Sequence, residues 1–121
     1  MKLTKVIPKI FYTDIKHGLE CFVDVLGFTI SHQEANPPFY IVDRDGLTLF
    51  LFEDDEYAKK DRPEIRIVTD DINALYEELA SKDIKLFHPN LSKVTLRPWG
   101  VWEFALADKG GVCVVLAQAN R

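Results

Sequence analysis

The hydrophobic pattern of this chain occurs twice in the same order, which restricts it to folds assembled from two copies of a half-size unit. Strand-like runs occupy 6–12, 39–43, 47–53, 64–69, 101–107 and 112–117, and helix-like segments follow the first and fourth of them. Asp14 is placed to N-cap a helix whose Ile15, Leu19, Phe22, Val23 and Leu26 lie on one face, with Gly27 as its C-terminal stop. Asp70 or Asp71 does the same for Ile72, Leu75 and Leu79. Each helix leads to a further short strand, around 28–33 and 84–88, then to a proline-containing loop and a hairpin. Both halves therefore read βαβββ.

The residues repeat as well as the elements. A shift of 57 places Ile10 on Ile67, Asp14 on Asp71, Ile15 on Ile72 and Phe22 on Leu79. A shift of 65 places Phe39 on Phe104, Asp43 on Asp108, Gly46 on Gly111, Leu51 on Leu116 and Glu53 on Gln118. The shared Asp and Gly of the two hairpin turns are harder to obtain by chance than alternating apolar residues. Between the halves, Asp54–Arg62 reads as a polar, solvated connector. A single duplicated domain over 1–121 is expected, with module one at about 4–53 and module two at about 63–118. Halves of about sixty residues are marginal alone and are expected to share a core.

Charge and cysteine use narrow the function. Nineteen acidic residues against fifteen Lys and Arg give a net charge of −4, and the basic residues are scattered, so no nucleic-acid partner is expected. The first residues form neither a signal sequence nor a membrane span, and a cytoplasmic location with no membrane partner is the expectation. Cys21 and Cys113 lack CxxC spacing and read as packed thiols. HExxH, G-x-S-x-G, the P-loop and the dinucleotide glycine fingerprint are all absent.

From Val6 to Gln118 the chain resembles the vicinal oxygen chelate superfamily of glyoxalase I, extradiol dioxygenases and bleomycin resistance proteins. The carriers are Thr13-Asp14 opening the first helix, Asp24-Val25-Leu26-Gly27-Phe28 closing it, and the Asp43-Arg44-Asp45-Gly46 hairpin. Arg97-Pro98-Trp99-Gly100, Glu103-Phe104 and Asp108-Lys109-Gly110-Gly111 complete the set and look most like the bleomycin resistance branch, although Lys109-Gly110 stands where that branch has Pro-Asp. The resemblance implies an α+β fold: two tandem βαβββ modules forming a cupped mixed β-sheet, a partly open barrel, with helices on the outside and a ligand in the cup. It also implies a homodimer.

Strand alternation divides the residues of such a cup. Ile10, Leu47, Leu49, Leu51, Ile65, Ile67, Val112, Val114 and Leu116 form an aliphatic class expected beneath the helices. The opposite class, including Ile7, Lys9, Phe11, Ile41, Thr48, Cys113 and Val115, mixes aromatic with polar residues as small-molecule sites do. Its candidate ligand-binding members are Phe39, Phe50, Phe52, Glu64, Arg66, Trp102 and Phe104, to which the loop residue Trp99 is added. Enzymes of the superfamily hold a divalent metal at four positions that fall here on Ile7, Phe50, Glu64 and Val115. Glu64 alone has a donor atom, so no metal and no cofactor are expected. His17, His32 and His88 share no face in the sequence pattern and are assigned exposed or loop-capping roles.

The leading expectation is a metal-free protein that sequesters an aromatic or cationic small molecule, with rings for stacking, Glu64 for negative charge and Arg66 for orientation. The alternative is a lyase, isomerase or oxygenase, either with metal ligands elsewhere or metal-free with Glu64 as general base. A third is a dimeric interaction module with no small-molecule ligand.

Overall fold

The computed structural model describes residues 1–60 and 64–119. The chain divides into two compact units, Met1–Asp61 and Arg62–Arg121.

In the first unit, β1 (Lys9–Tyr12) is followed by α1 (Ile15–Leu19), which continues as a π-helix across Glu20–Val25, and then by β2 (Thr29–Ala35), β3 (Pro38–Arg44) and β4 (Leu47–Glu53). The sheet order is β1-β4-β3-β2, with β1 parallel to β4 and the other pairs antiparallel. The βαβββ pattern is thus present. β1 is shorter than the expected 6–12 because Pro8 has no N–H to donate, and only its carbonyl joins the ladder, accepting from the Phe50 N–H at 3.0 Å. Leu3, Val6 and Ile7 are left exposed outside the sheet. Ile10, Tyr12, Val42, Leu49 and Leu51 form the covered face with Ile15, Phe22, Val25 and Leu26 of the helix. Leu47, expected there too, begins β4 beside the turn and is 44% exposed.

Gly18 lets α1 approach β1. A Cβ at this position would stand 2.4 Å from Cε2 of Tyr12, a ring with no exposed surface and nowhere to retreat. Gly→Ala inside an exposed helix gains about 0.5–1 kcal/mol. Here the overlap reverses the sign: Gly18→Ala is expected to destabilise by about 1–3 kcal/mol in urea unfolding followed by circular dichroism. An unchanged or higher midpoint would contradict the packing.

The connector is not simply a solvated link. Asp55–Lys60 forms α2, with the Asp54 carboxylate accepting from the Tyr57 N–H at 3.1 Å and the pairs Lys59–Asp55 and Lys60–Glu56 one turn apart. Acids open this helix and lysines close it, as the helix dipole favours. Asp61 and Arg62 of the expected connector, and Pro63 at the start of the expected second module, lie outside the described residues.

The second unit contains β5 (Glu64–Val68), α3 (Ile72–Ala80), β6 (Thr95–Leu96), β7 (Val101–Ala107) and β8 (Cys113–Ala119), in the sheet order β5-β8-β7-β6. Again the outer pair β5/β8 is parallel and the others antiparallel. The strand expected at 84–88 is reduced to a bridge between Phe87 and Leu106, with backbone bonds from the His88 N–H to Ala105 and from the Ala107 N–H to Leu86. Pro89, lacking a donor, ends this run, and pairing resumes at β6. No helix among the described residues is long and apolar enough to cross a membrane.

The duplication extends to hydrogen bonds. Glu53 Oε2, at the end of β4, accepts from the Ile15 N–H at 3.0 Å, and Gln118 Oε1, near the end of β8, accepts from the Ile72 N–H at 2.7 Å. Asp14 and Asp71 cap the same two helices through the N–H groups of Lys16 and Ala74. Each module therefore seats its helix on its own last strand with one carbonyl-type oxygen.

The hairpins differ, with large consequences. In the first, Arg44 faces Leu47 across a two-residue turn with both Asp45 (φ 52°) and Gly46 (φ 81°) left-handed. In the second, the Asp108 N–H bonds to the Val112 carbonyl across three residues, of which Gly111 (φ 87°) is left-handed. The Asp108 carboxylate supports this longer turn by accepting from the N–H groups of Gly110 and Val112, both at 2.9 Å. One extra residue in the turn slips β7 against β8 by one position and reverses which side chains of β7 face which way.

Candidate ligand-binding cleft

The register puts Glu64 and Arg66 of β5, Cys113 and Val115 of β8, and Glu103, Ala105 and Ala107 of β7 on one face of the second sheet. Trp102 and Phe104 lie on the other. Phe104 is fully buried, 5.1 Å from the ring of Tyr76 on α3 and 6.1 Å from Phe87. Trp102 pairs with Gln118, whose side chain holds the start of α3. The expectation from strand alternation that both rings share a face with Glu64 is corrected by this register, which the longer second turn sets.

A cleft of about 290 Å³ opens on the face that carries Glu64. Its floor is apolar: Ala105 and Val115 are buried, with Leu91 and Cys113 beside them. Its polar wall is centred on Glu103, which the sequence reading did not select as a site residue. The Glu103 side chain is only 3% exposed, and its Oε2 accepts from Arg66 Nη1 at 2.9 Å, Arg66 Nη2 at 2.6 Å and Trp99 Nε1 at 3.3 Å. A buried carboxylate needs such compensation, and two donors of one guanidinium supply most of it. Arg66 also reaches Glu64, Nε to Oε2 at 3.7 Å. Arg97 Nε stands 3.8 Å from Glu103 Oε1, beyond hydrogen-bond reach, and is buried without a partner.

Trp99 is presented by a hairpin turn. The Arg97 N–H bonds to the Val101 carbonyl at 2.9 Å, Pro98 presets the first bend, and Gly100 (φ 84°) takes the left-handed position. The indole is therefore lifted from the sheet, and Trp99 is 59% exposed, yet it is fixed by its bond to Glu103 and by the Arg97 guanidinium 4.9 Å from its ring centre. His88 lines the same cleft, where its Nδ1 accepts from the Asn90 N–H at 3.1 Å, so the neutral ring carries its proton on Nε2. Burial, aided by the charge of Glu64, pushes the pKa of the Cys113 thiol above its ordinary value and so disfavours the thiolate.

Phe39, Phe50 and Phe52 belong to the first unit, where the register joins them on one sheet face with Lys9 and Phe11. The rings of Phe39 and Phe52 are stacked at 4.2 Å, Phe50 meets Phe39 at 5.3 Å, and the Lys9 ammonium lies 4.1 Å from the centre of Phe52. His32 adds its ring at 5.8 Å from Phe39 and bonds to Glu34 at 2.9 Å. These aromatic residues already satisfy one another, and each is half-buried.

The residues do not fit the divalent metal that the resemblance carries in its enzymes. Ile7 and Val115 offer no donor, Phe50 packs against Phe39, and Glu64 already pairs with Arg66. Among the described residues no three His, Cys, Asp or Glu side chains come together in a way that could hold an ion.

No protein-family model matches the chain, and no curated protein matches it. Solved structures do. A bleomycin-binding protein from Streptomyces verticillus, in complex with copper(II)-bleomycin, superposes with a TM-score of 0.77 at 24% identity, covering 100% of this chain and 99% of that one. A bleomycin resistance determinant encoded on the transposon Tn5 gives 0.77 at 23% identity, covering 98% and 100%. A member of the glyoxalase/bleomycin resistance protein/dioxygenase superfamily from Sphaerobacter thermophilus gives 0.69 at 22% identity, covering 96% and 98%. Two four-stranded mixed sheets, each following a βαβββ path, thus give this chain the fold of the bleomycin-binding proteins and of the glyoxalase/bleomycin resistance protein/dioxygenase superfamily.

Proposed function

We propose that this protein binds a small aromatic compound stoichiometrically, without transforming it, in the manner of a bleomycin resistance protein. The observation that carries the reading is Trp99: a large ring, mostly exposed, immobilised by Glu103 and Arg97 at the wall of a cleft with an apolar floor. Fixing an exposed indole in advance lowers the entropy lost when a guest stacks beside it. Glu64, 55% exposed at its side chain, offers a carboxylate to a cationic substituent. The Glu64 carboxylate lies open beside the Arg66 guanidinium, a placement that serves charge pairing more readily than proton abstraction. On the first unit's own sheet, Phe39, Phe50 and Phe52 would offer a separate ring surface, and the protein would act as a cytoplasmic homodimer. The likeness to structures of bleomycin-binding proteins, one of them holding copper(II)-bleomycin, supports a binding rather than a catalytic role.

Calorimetric titration with bleomycin and with 2-naphthamide is the test. At least one should bind at a 1:1 ratio, and Trp99→Ala should weaken it at least tenfold, about 1.4 kcal/mol. Binding of neither probe, or an affinity indifferent to Trp99, would overturn the reading.

A further inference from the structure

We infer that the guest of this cleft carries a carboxylate, which Arg97 receives. The inference rests on the small-molecule reading above and adds the chemical class of the ligand. Its starting point is an imbalance among the four charged groups of the cleft. Glu103 spends its Oε2 on both terminal nitrogens of Arg66 and on the Trp99 indole, and Arg66 has Glu64 on its other side. Arg66 is thus matched by two acids. Arg97 has only a 3.8 Å approach to Glu103 and the face of Trp99, and its guanidinium donates no hydrogen bond among the described residues.

A guanidinium with a buried donor left unpaired is costly, since that group has given up water and gained no acceptor. Stacking on an indole does not repair this, because the interaction uses the cation's face and leaves its edge of N–H donors free. That edge matches the two oxygens of a carboxylate. The side chain is 32% exposed and lines the cleft, so a ligand can meet it. Other groups there are also donors: the neutral His88 ring has its proton on Nε2, its Nδ1 being occupied by Asn90. The floor of Ala105, Val115 and Leu91 takes a planar ring, and the wall bearing Arg97 takes an anionic end.

The test compares two probes that differ only at that end, 2-naphthoate and 2-naphthamide, by calorimetry on the full chain. The carboxylate is expected to bind at least tenfold more tightly, and Arg97→Gln should bring the two within twofold of each other. The wild-type protein supplies an independent readout, in which the Arg97 Nε–H resonance should shift on adding naphthoate and stay in place with naphthamide. Equal affinities, a preference that survives Arg97→Gln, or a resonance indifferent to naphthoate would overturn the carboxylate assignment and leave an aromatic site standing. Binding of neither probe would overturn the assignment, and the reading beneath it falls with it only if bleomycin also fails to bind.

Discussion

Phe104→Ala is expected to lower the unfolding free energy by about 3–5 kcal/mol, the range for removing a fully buried phenylalanine ring. Phe104 has no exposed surface and bridges β7 to α3 through Tyr76, with Phe87 packed beside it. Since small domains are stable by only about 5–15 kcal/mol, the loss is a large share of the total. Urea unfolding should show a much lower midpoint, and Phe104→Leu, which refills most of the volume, should recover more than half of the difference. A Phe104 facing the cleft would behave differently, changing ligand affinity with little effect on the midpoint. The experiment therefore reads the β7 register directly.

That register marks the boundary of what the sequence made legible. Alternation located β3, β4, β7 and β8, and the duplicated Asp and Gly located both hairpins. Even a single hydrogen bond was foreshadowed: Glu53 aligned with Gln118 and Ile15 with Ile72, and these are the residues that dock the two helices. Glu64 and Arg66 were correctly assigned to one face because they are two apart on one strand. Relating β7 to β8 needed the turn between them, and Asp43–Gly46 and Asp108–Gly111 have the same length and similar composition. Their difference lies in how the Asp108 carboxylate gathers two N–H groups into a three-residue turn, which alternation does not encode. From that one residue follow the misplacement of Trp102 and Phe104 and the omission of Glu103. A signal was nonetheless present. Glu103 sits between Trp102 and Phe104 in an otherwise apolar strand, and a lone acid there calls for a buried cation such as Arg66.

Glu103→Leu is expected to destabilise the protein by about 2–4 kcal/mol although leucine is apolar and of similar size. Removing one member of a fully buried ion pair costs about 3–5 kcal/mol, because the partner's charge stays buried without compensation. The full figure does not apply, since Arg66 is 43% exposed and can turn its guanidinium to water. Arg97 has less freedom, with a buried Nε whose nearest carboxylate oxygen, at 3.8 Å, would be gone. Trp99 would lose the acceptor of its indole N–H and the turn at Pro98 would hold the ring by backbone geometry alone. Two measurements should move together: the urea midpoint falls, and tryptophan fluorescence anisotropy drops as Trp99 gains freedom. In a double-mutant cycle, Glu103→Leu and Arg66→Leu should couple by about 1–3 kcal/mol, the range for residues sharing one charged network. If the two losses were simply additive, Glu103 would not be the anchor of the cleft wall, and the rigidity assigned to Trp99 would need another source.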